Sequence, residues 1–250
     1  MKKMFMHSPL EQFEMKMLLM MNDMLALSMT NYVVYLGMVS FMMYNMMTLL
    51  NKTNLEWNRW GLAMLAMYDT MLNMVKSQMG NKGGYYFPLM FTLFTFMLMA
   101  NLVSMMPYSF AMSAQLVPVV SLSLSLWLGV TMLGLAKHKL VYFSLFVPNG
   151  TPLPLVPVLV LMETLSNSSR AMSLGLRLSA NVLSGHLLML MLGSLMFNLM
   201  NSSMFGMFFG MMPMLGVVAM VMLEFAMSMM QAYVFCMLFS GYMKDSMYLH

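Results

Sequence analysis

Five ionisable side chains stand in two long apolar stretches near the end of the chain: Glu163, Arg170, Arg177, His186 and Glu224. A charged side chain at the centre of a bilayer costs about 2.5–3.5 kcal/mol on insertion scales, so such residues are usually functional. Glu and His can pass protons on near neutral pH. Arg keeps its proton in practice and serves as a fixed positive charge.

The spacing of these residues predicts polar faces on two helices. Glu163, Arg170 and Arg177 follow an i, i+7, i+14 pattern on one helix. Glu224 is followed at i+4 and i+7 by Ser228 and Gln231 on the next.

If these two helices form an antiparallel hairpin, one residue on each helix lies at the same depth in the membrane. The sum of the two residue numbers is then nearly the same for every such pair. This condition gives three pairs: Arg177 with Gln231, His186 with Glu224, and Glu163 with Asp245. Polar pairs at three depths predict two aqueous routes that are separated by an electrostatic barrier. The alternative is that buried ion pairs merely orient the helices, and Arg170 alone could snorkel to the interface.

The composition restricts the class of protein. Of the 250 residues, 61% are hydrophobic and 8% are charged, against roughly 25% charged in a globular domain. This excludes a soluble domain and a disordered chain, and the scattered net charge of +4 excludes a nucleic-acid binder. There is no Gly-rich nucleotide loop, and Cys236 is the only cysteine, so we predict no catalytic site, cofactor or metal site.

Methionine replaces isoleucine throughout the sequence, which has 45 Met and no Ile. The exchange changes side-chain flexibility but keeps hydropathy high, so a membrane protein has no physical reason for it. It indicates either a genetic code that assigns an Ile codon to Met or a translation that made the same choice. Both point to a mitochondrial gene.

We therefore predict a single all-α membrane domain with five transmembrane helices and one interfacial amphipathic helix. After an N-terminal segment at 1–24, the predicted spans cover 25–50, 85–106, 113–136, 156–200 and 205–241, and a tail covers 242–250. The last two spans are too long for perpendicular crossing, so we predict that they are tilted and form a hairpin.

The interfacial helix is predicted at 57–79, where charged residues interrupt the apolar pattern. Asn58, Asp69, Asn73 and Lys76 fall on one face of a helix, and Trp57 and Trp60 are typical interface anchors.

Basic residues after the first and third spans, among them Lys82 and Lys137, predict that these loops face the matrix. The N-terminus then faces the intermembrane space and the C-terminus the matrix. Residues 1–7 are too short for a signal peptide, although their removal stays open.

Several segments resemble subunit a of the F-type ATP synthases, the proton-channel subunit. They are SLGLRLSAN at 173–181, GTPLPLVP at 150–157, SGHLL at 184–188, the residues Glu224 and Gln231, and SPLEQFE at 8–14, which is similar to the start of fungal members.

The resemblance implies a protein of the mitochondrial inner membrane whose last two helices lie against a rotating ring of c subunits, beside other membrane and stator subunits. Arg177 would be the essential arginine that faces this ring. His186 and Glu224 would belong to the half-channel from the intermembrane space, and Glu163 and Asp245 to the matrix half-channel. The implied supporting polar residues are Asn181, Gln231, Arg170, Ser184 and Asn101.

Rival functions fit less well. A haem-bearing subunit needs paired His residues on spans, and an antiporter-like subunit of a respiratory proton pump would carry buried Lys. Every Lys here lies outside the predicted spans. A structural anchor that transports nothing would not need Arg177 in the middle of a helix.

Overall fold

A computed structural model describes residues 13–22, 27–52, 59–106, 110–147, 152–201 and 204–248. This part of the chain is almost entirely helical, which agrees with the predicted class. Its elements are strands β1 (Met17–Asn22) and β2 (Leu27–Thr30) and helices α1 (Asn31–Lys52), α2 (Arg59–Met79), α3 (Phe87–Ser104), α4 (Leu116–His138), α5 (Val156–Met200) and α6 (Met204–Met247). Short 3-10 helices lie at Gly80–Tyr85, Met112–Ala114, Lys139–Phe146 and Leu153–Leu155.

Four helical segments in the described part of the chain are long and apolar enough to cross a bilayer. They are Phe87–Ser104, Leu116–Ser144, Val156–Met200 and Met212–Met247. Helix α1 is not among the four, so the count of five spans stays a prediction. Helix α2 forms within the range predicted for the interfacial helix, and its Asp69, Asn73 and Lys76 are exposed. Trp57 and Asn58 lie outside the described residues.

A β-hairpin precedes α1, where the sequence predicts the beginning of the first span. Strands β1 and β2 pair antiparallel, with Met17 opposite Thr30 and Met20 opposite Ser28. The Asn31 N–H donates to the Lys16 carbonyl at 3.2 Å, and the helix begins only there. A short apolar run fits a strand or a helix equally well, so periodicity alone could not locate this boundary.

Proline, glycine and one lysine mark the helix ends. Pro88, Pro118 and Pro157 each lie in the first turn of their helix, where the missing N–H has no intrahelical partner to lose. Gly80 follows α2 with φ 63°, the left-handed conformation that commonly ends a helix. Lys139 follows α4 with φ 52°, an uncommon conformation for a residue with a Cβ.

The chain divides into two compact units, of which the first comprises Met1–Met46, Phe96–Gln115 and Leu178–Ala232. Part of its core consists of Val39, Ala100 and Met112, with Tyr35 and other aromatic rings packed against them. The Phe110 N–H donates to the Tyr35 hydroxyl at 3.3 Å. This contact ties the loop after α3 to α1.

The second unit comprises Met47–Thr95, Leu116–Arg177 and Tyr233–His250. Here α6 continues to Met247, beyond Gly241, which is its predicted end. Contacts with α2 lie on both sides of these added turns. Just before them the Ser240 hydroxyl donates to Gln78 Oε1 at 2.9 Å, and just after them the Tyr248 hydroxyl donates to the Met79 carbonyl at 3.3 Å. Asp245, assigned to a tail by its polarity, is therefore a helical residue.

Helices α4 and α5 approach closely at Gly175 in the second unit. A Cβ at this position would lie 2.7 Å from Ser123 Oγ and 3.2 Å from the Val119 carbonyl oxygen. Because one of these atoms belongs to the backbone, α4 could not yield by a simple rotamer change.

We expect Gly175→Ala to loosen the packing of α4 on α5, at a cost of about 1–3 kcal/mol for overpacking. The matched control is Gly129→Ala on α4, where an added Cβ meets nothing within 4 Å. It should be neutral or slightly stabilising, because Ala favours helix more than Gly does. Thermal inactivation of the detergent-extracted assembly measures both, and equal inactivation temperatures would contradict the prediction.

Candidate functional site

His186 and Glu224 form a buried pair in the first unit, and only 3% and 6% of their surfaces are exposed. His186 Nε2 lies 3.8 Å from Glu224 Oε1. This distance is longer than a hydrogen bond, and both atoms lack a hydrogen-bond partner among the described residues. A small rotation of either side chain, or one bridging water, is enough to connect them.

Gly185 brings this pair together, because it lets the carboxylate of α6 lie directly on the backbone of α5. A Cβ on Gly185 would be 2.7 Å from Glu224 Oε1 and 2.8 Å from its Cδ. Any larger residue would push the carboxylate away from its position next to His186. The structure thus brings together the two residues that the number sums predict as neighbours.

A cavity of about 150 Å³ adjoins Glu224. Four residues that the sequence analysis names as supporting polar groups line it: Asn101, Asn181, Ser184 and Gln231. Apolar side chains such as Leu188 and Met220 form much of the remaining wall. The cavity is therefore mostly apolar, with a few polar side chains and one ionisable group, Glu224, in its wall.

A chain of hydrogen bonds runs from this cavity along α3. The Asn101 amide donates to the Ser228 carbonyl at 3.2 Å, and its Oδ1 is buried without a partner among the described residues. The Ser104 hydroxyl donates to the Asn101 carbonyl at 2.7 Å and accepts from the Ser113 hydroxyl at 2.9 Å. The main chain of Ser104 lies next to the His186 ring. Polar groups thus surround the pair on the α3 side.

A second polar cluster lies in the second unit, around Glu163, Arg170 and Asp245. All three line a cavity of about 280 Å³. Arg170 Nη2 lies 3.8 Å from Glu163 Oε1, and the two side chains are 51% and 44% exposed. The structure therefore gathers the predicted pair Glu163 and Asp245 around one cavity, with Arg170 as a neighbouring cation.

Several residues of this second cavity were not predicted from the sequence. Asn167 is four residues after Glu163 on the same helix, and Tyr242 is three residues before Asp245, so helical spacing could have indicated both. Trp127 and Tyr142 also line it. They come from α4 and from the 3-10 helix after it, and no spacing in the sequence relates them to α5.

Arg177 is exposed on α5 and forms no ion pair with any described residue. It belongs to the second unit and Gln231 to the first, so their pairing stays a prediction. A cation without an anion nearby can form an ion pair with a group on another molecule.

Metal binding would need a group of several ligand side chains. Among the residues that the structure describes, no three His, Cys, Asp or Glu side chains are grouped closely enough to hold an ion.

The family model for the ATP synthase A chain matches residues 26–244. The chain belongs to this family. It is 69% identical over 244 residues to the ATP synthase subunit a of Debaryomyces hansenii, covering 98% of this chain and 99% of the relative. It is 56% identical to that of Candida albicans, with the same coverage, and 50% identical to that of Saccharomyces cerevisiae, covering 97% of this chain and 96% of the relative. The resemblance inferred from the Arg177 motif is confirmed as a fungal-like F-type subunit a.

The half-exposed contact between Arg170 and Glu163 generates a test of the alternative that these charges only orient helices. Exposed ion pairs contribute about 0–1 kcal/mol, so we expect Arg170→Gln to leave the thermal stability of the assembly nearly unchanged. Glu163→Gln should behave in the same way. A large drop in inactivation temperature for either variant, measured beside Gly175→Ala, would favour the purely structural role.

Proposed function

We propose that this chain conducts protons across the inner mitochondrial membrane through two separate half-channels, which load and unload carboxylates of a rotating c ring. Family membership makes it the a component of the membrane part of the ATP synthase. The observation that carries the finer proposal is the presence of two cavities in two units, each with a carboxylate in its lining.

In the outer half-channel, Glu224 takes a proton from the side of the intermembrane space and His186 assists it. Several features support these roles: the burial of both groups, their 3.8 Å separation and the polar side chains in the wall of the cavity. Asn101, Asn181, Ser184 and Gln231 supply hydrogen bonds for the water that would carry protons along this path.

In the inner half-channel, Asp245 and Glu163 pass the proton to the matrix. Their carboxylates share a cavity whose charged residues are more accessible than His186 and Glu224, because Glu163 and Arg170 are about half exposed. Arg170 holds a positive charge beside Glu163, with Nη2 3.8 Å from Glu163 Oε1. Catalysis of ATP formation itself lies outside this chain.

Arg177 is the barrier between the two paths. A carboxylate on a c subunit must lose its proton between the half-channels, and a bare carboxylate in hydrocarbon would be very costly. At an effective dielectric of about 20, a cation 4 Å away stabilises it by up to roughly 4 kcal/mol. The same charge repels a proton that would otherwise cross without turning the ring.

The partners follow from this role: the c ring, the other membrane and stator subunits, and the surrounding lipid. Basic residues after the first and third predicted spans, including Lys137, favour an N-terminus in the intermembrane space and a C-terminus in the matrix. A subunit of a respiratory proton pump and a structural anchor remain the competing functions, and neither explains Arg177.

Variants of the outer half-channel test the path. Glu224→Leu should slow proton uptake strongly while the complex still assembles, because an apolar residue is cheaper in lipid than a carboxylate. The control is Met222→Leu, since Met222 is 68% exposed two residues away. His186→Ala should reduce flux and change its pH dependence, and an unchanged pH profile would remove His186 from the path.

Variants of Arg177 test the proposal as a whole. Its charge must never titrate, so Arg177→Lys should be nearly as damaging to ATP synthesis as Arg177→Ala, although it keeps the positive charge. The two variants should differ in passive proton conductance. Ala removes the barrier and allows leak, whereas Lys largely blocks it.

The measurements are ATP synthesis and passive proton conductance in membranes of each variant. Arg59→Ala, which removes an exposed arginine of α2, serves as the control and should retain normal synthesis. Normal ATP synthesis in Arg177→Ala would overturn the proposal, because no other residue that the structure describes offers an unpaired cation in the same place.

A further inference from the structure

The His186 ring has a neighbour that the proton path does not explain. Phe13 contacts it edge to face, with ring centroids 6.2 Å apart and an interplanar angle of 83°. Such edge-to-face contacts favour a defined relative orientation of the two rings. His186 is therefore bounded by Glu224 on α6, by the main chain of Ser104 at the end of α3 and by Phe13 from the N-terminal segment.

Phe13 is held in place from two directions. The Gln115 side-chain amide donates to its carbonyl at 2.6 Å, a short hydrogen bond. Its ring packs against a small core of Ala111, Ala114 and Val182. Val182 is four residues before His186, so it occupies the same face of α5 one turn away.

The chain after Phe13 leaves this core at once. Glu14 and Lys16 are exposed, as is Met15, with 47% of its surface accessible. The Lys16 carbonyl then accepts the Asn31 N–H, and β1 begins. Residues 13–16 thus form a strap that is fastened at Phe13 and at Lys16. Phe13 is the one ring that this strap turns toward His186.

We propose that Phe13, held by Gln115, is a positioning residue for proton transfer between His186 and Glu224. Its ring fixes the plane of the imidazole and shields it, so that Nε2 stays directed at the carboxylate. Protons then reach the pair through the cavity that Asn101 and Ser184 line. The inference rests on the proposed outer half-channel, because it gives a reason for His186 to be held in one orientation.

The test uses assembled complex in native membranes and the variants Phe13→Ala, Phe13→Tyr and Gln115→Met. Exposure of His186 is measured as its rate of modification by diethyl pyrocarbonate, resolved by peptide mass spectrometry. His138, whose Nε2 lies 3.2 Å from the Met247 carbonyl, is the internal reference. Proton-driven ATP synthesis is measured on the same membranes, with Met15→Ala as the control in the strap.

Phe13→Ala should raise the modification rate of His186 severalfold, leave that of His138 unchanged and lower ATP synthesis. Phe13→Tyr keeps the ring and should restore both values, while Met15→Ala should match the unmodified chain. Gln115→Met keeps the Phe13 ring but removes the hydrogen bond that holds it, so it should show the same changes more weakly. This variant replaces Phe13→Ala in the test if Phe13→Ala fails to assemble.

Unchanged reactivity of His186 in both Phe13→Ala and Gln115→Met would overturn the inference. Unchanged ATP synthesis in Phe13→Ala would also overturn it, if His186→Ala lowers synthesis. If neither Phe13→Ala nor His186→Ala lowers synthesis, the role of His186 in the outer half-channel fails as well. The Arg177 variants test the two half-channels independently of this result.

Discussion

Burying an ionisable group among apolar helices is costly unless the group has a partner or gives up its charge, and the arrangement around Glu224 follows from this constraint. Gly185 leaves room for the carboxylate on the backbone of α5, His186 supplies a titratable neighbour, and Asn101 brings an amide to the same cavity. None of these groups forms a hydrogen bond that would hold a proton permanently on Glu224. Both carboxylate oxygens of Glu224 are buried without a hydrogen-bond partner among the described residues.

Length and apolar content were enough to predict α5, whose observed bounds, Val156–Met200, coincide with those expected. The proximity of His186 and Glu224 was also predictable. Each residue of an α-helix adds the same rise along the axis, so residue numbers on two antiparallel helices indicate which residues lie at the same depth. Both successes rely on regular geometry. The β-hairpin and the last turns of α6 were missed because local apolarity and charge do not report tertiary contacts such as that of Tyr248 with Met79. Trp127 lines the second cavity because of the way α4 packs, and no spacing in the sequence indicates this position.

The exchange of Ile for Met has a physical consequence in the core. Met71, Met79 and Met90 are among the largest fully buried side chains of the described residues. Met is unbranched and adapts to irregular gaps, whereas Ile is restricted at χ1. Cores built in this way depend less on exact side-chain shape and more on backbone proximity. The close approaches at Gly175 and Gly185 therefore carry much of the specificity of packing.

The two arginines of α5 show how one residue type serves two purposes. Arg170 lies 3.8 Å from Glu163, so its charge is already directed at an anion of the same chain. Arg177, one heptad further on, has no such anion among the described residues. A guanidinium left unpaired in an apolar stretch costs free energy in the isolated chain, and that cost is recovered only when an anion arrives from outside. The free-energy cost of an unpaired Arg177 within this chain is thus a reason to expect a carboxylate on a neighbouring subunit.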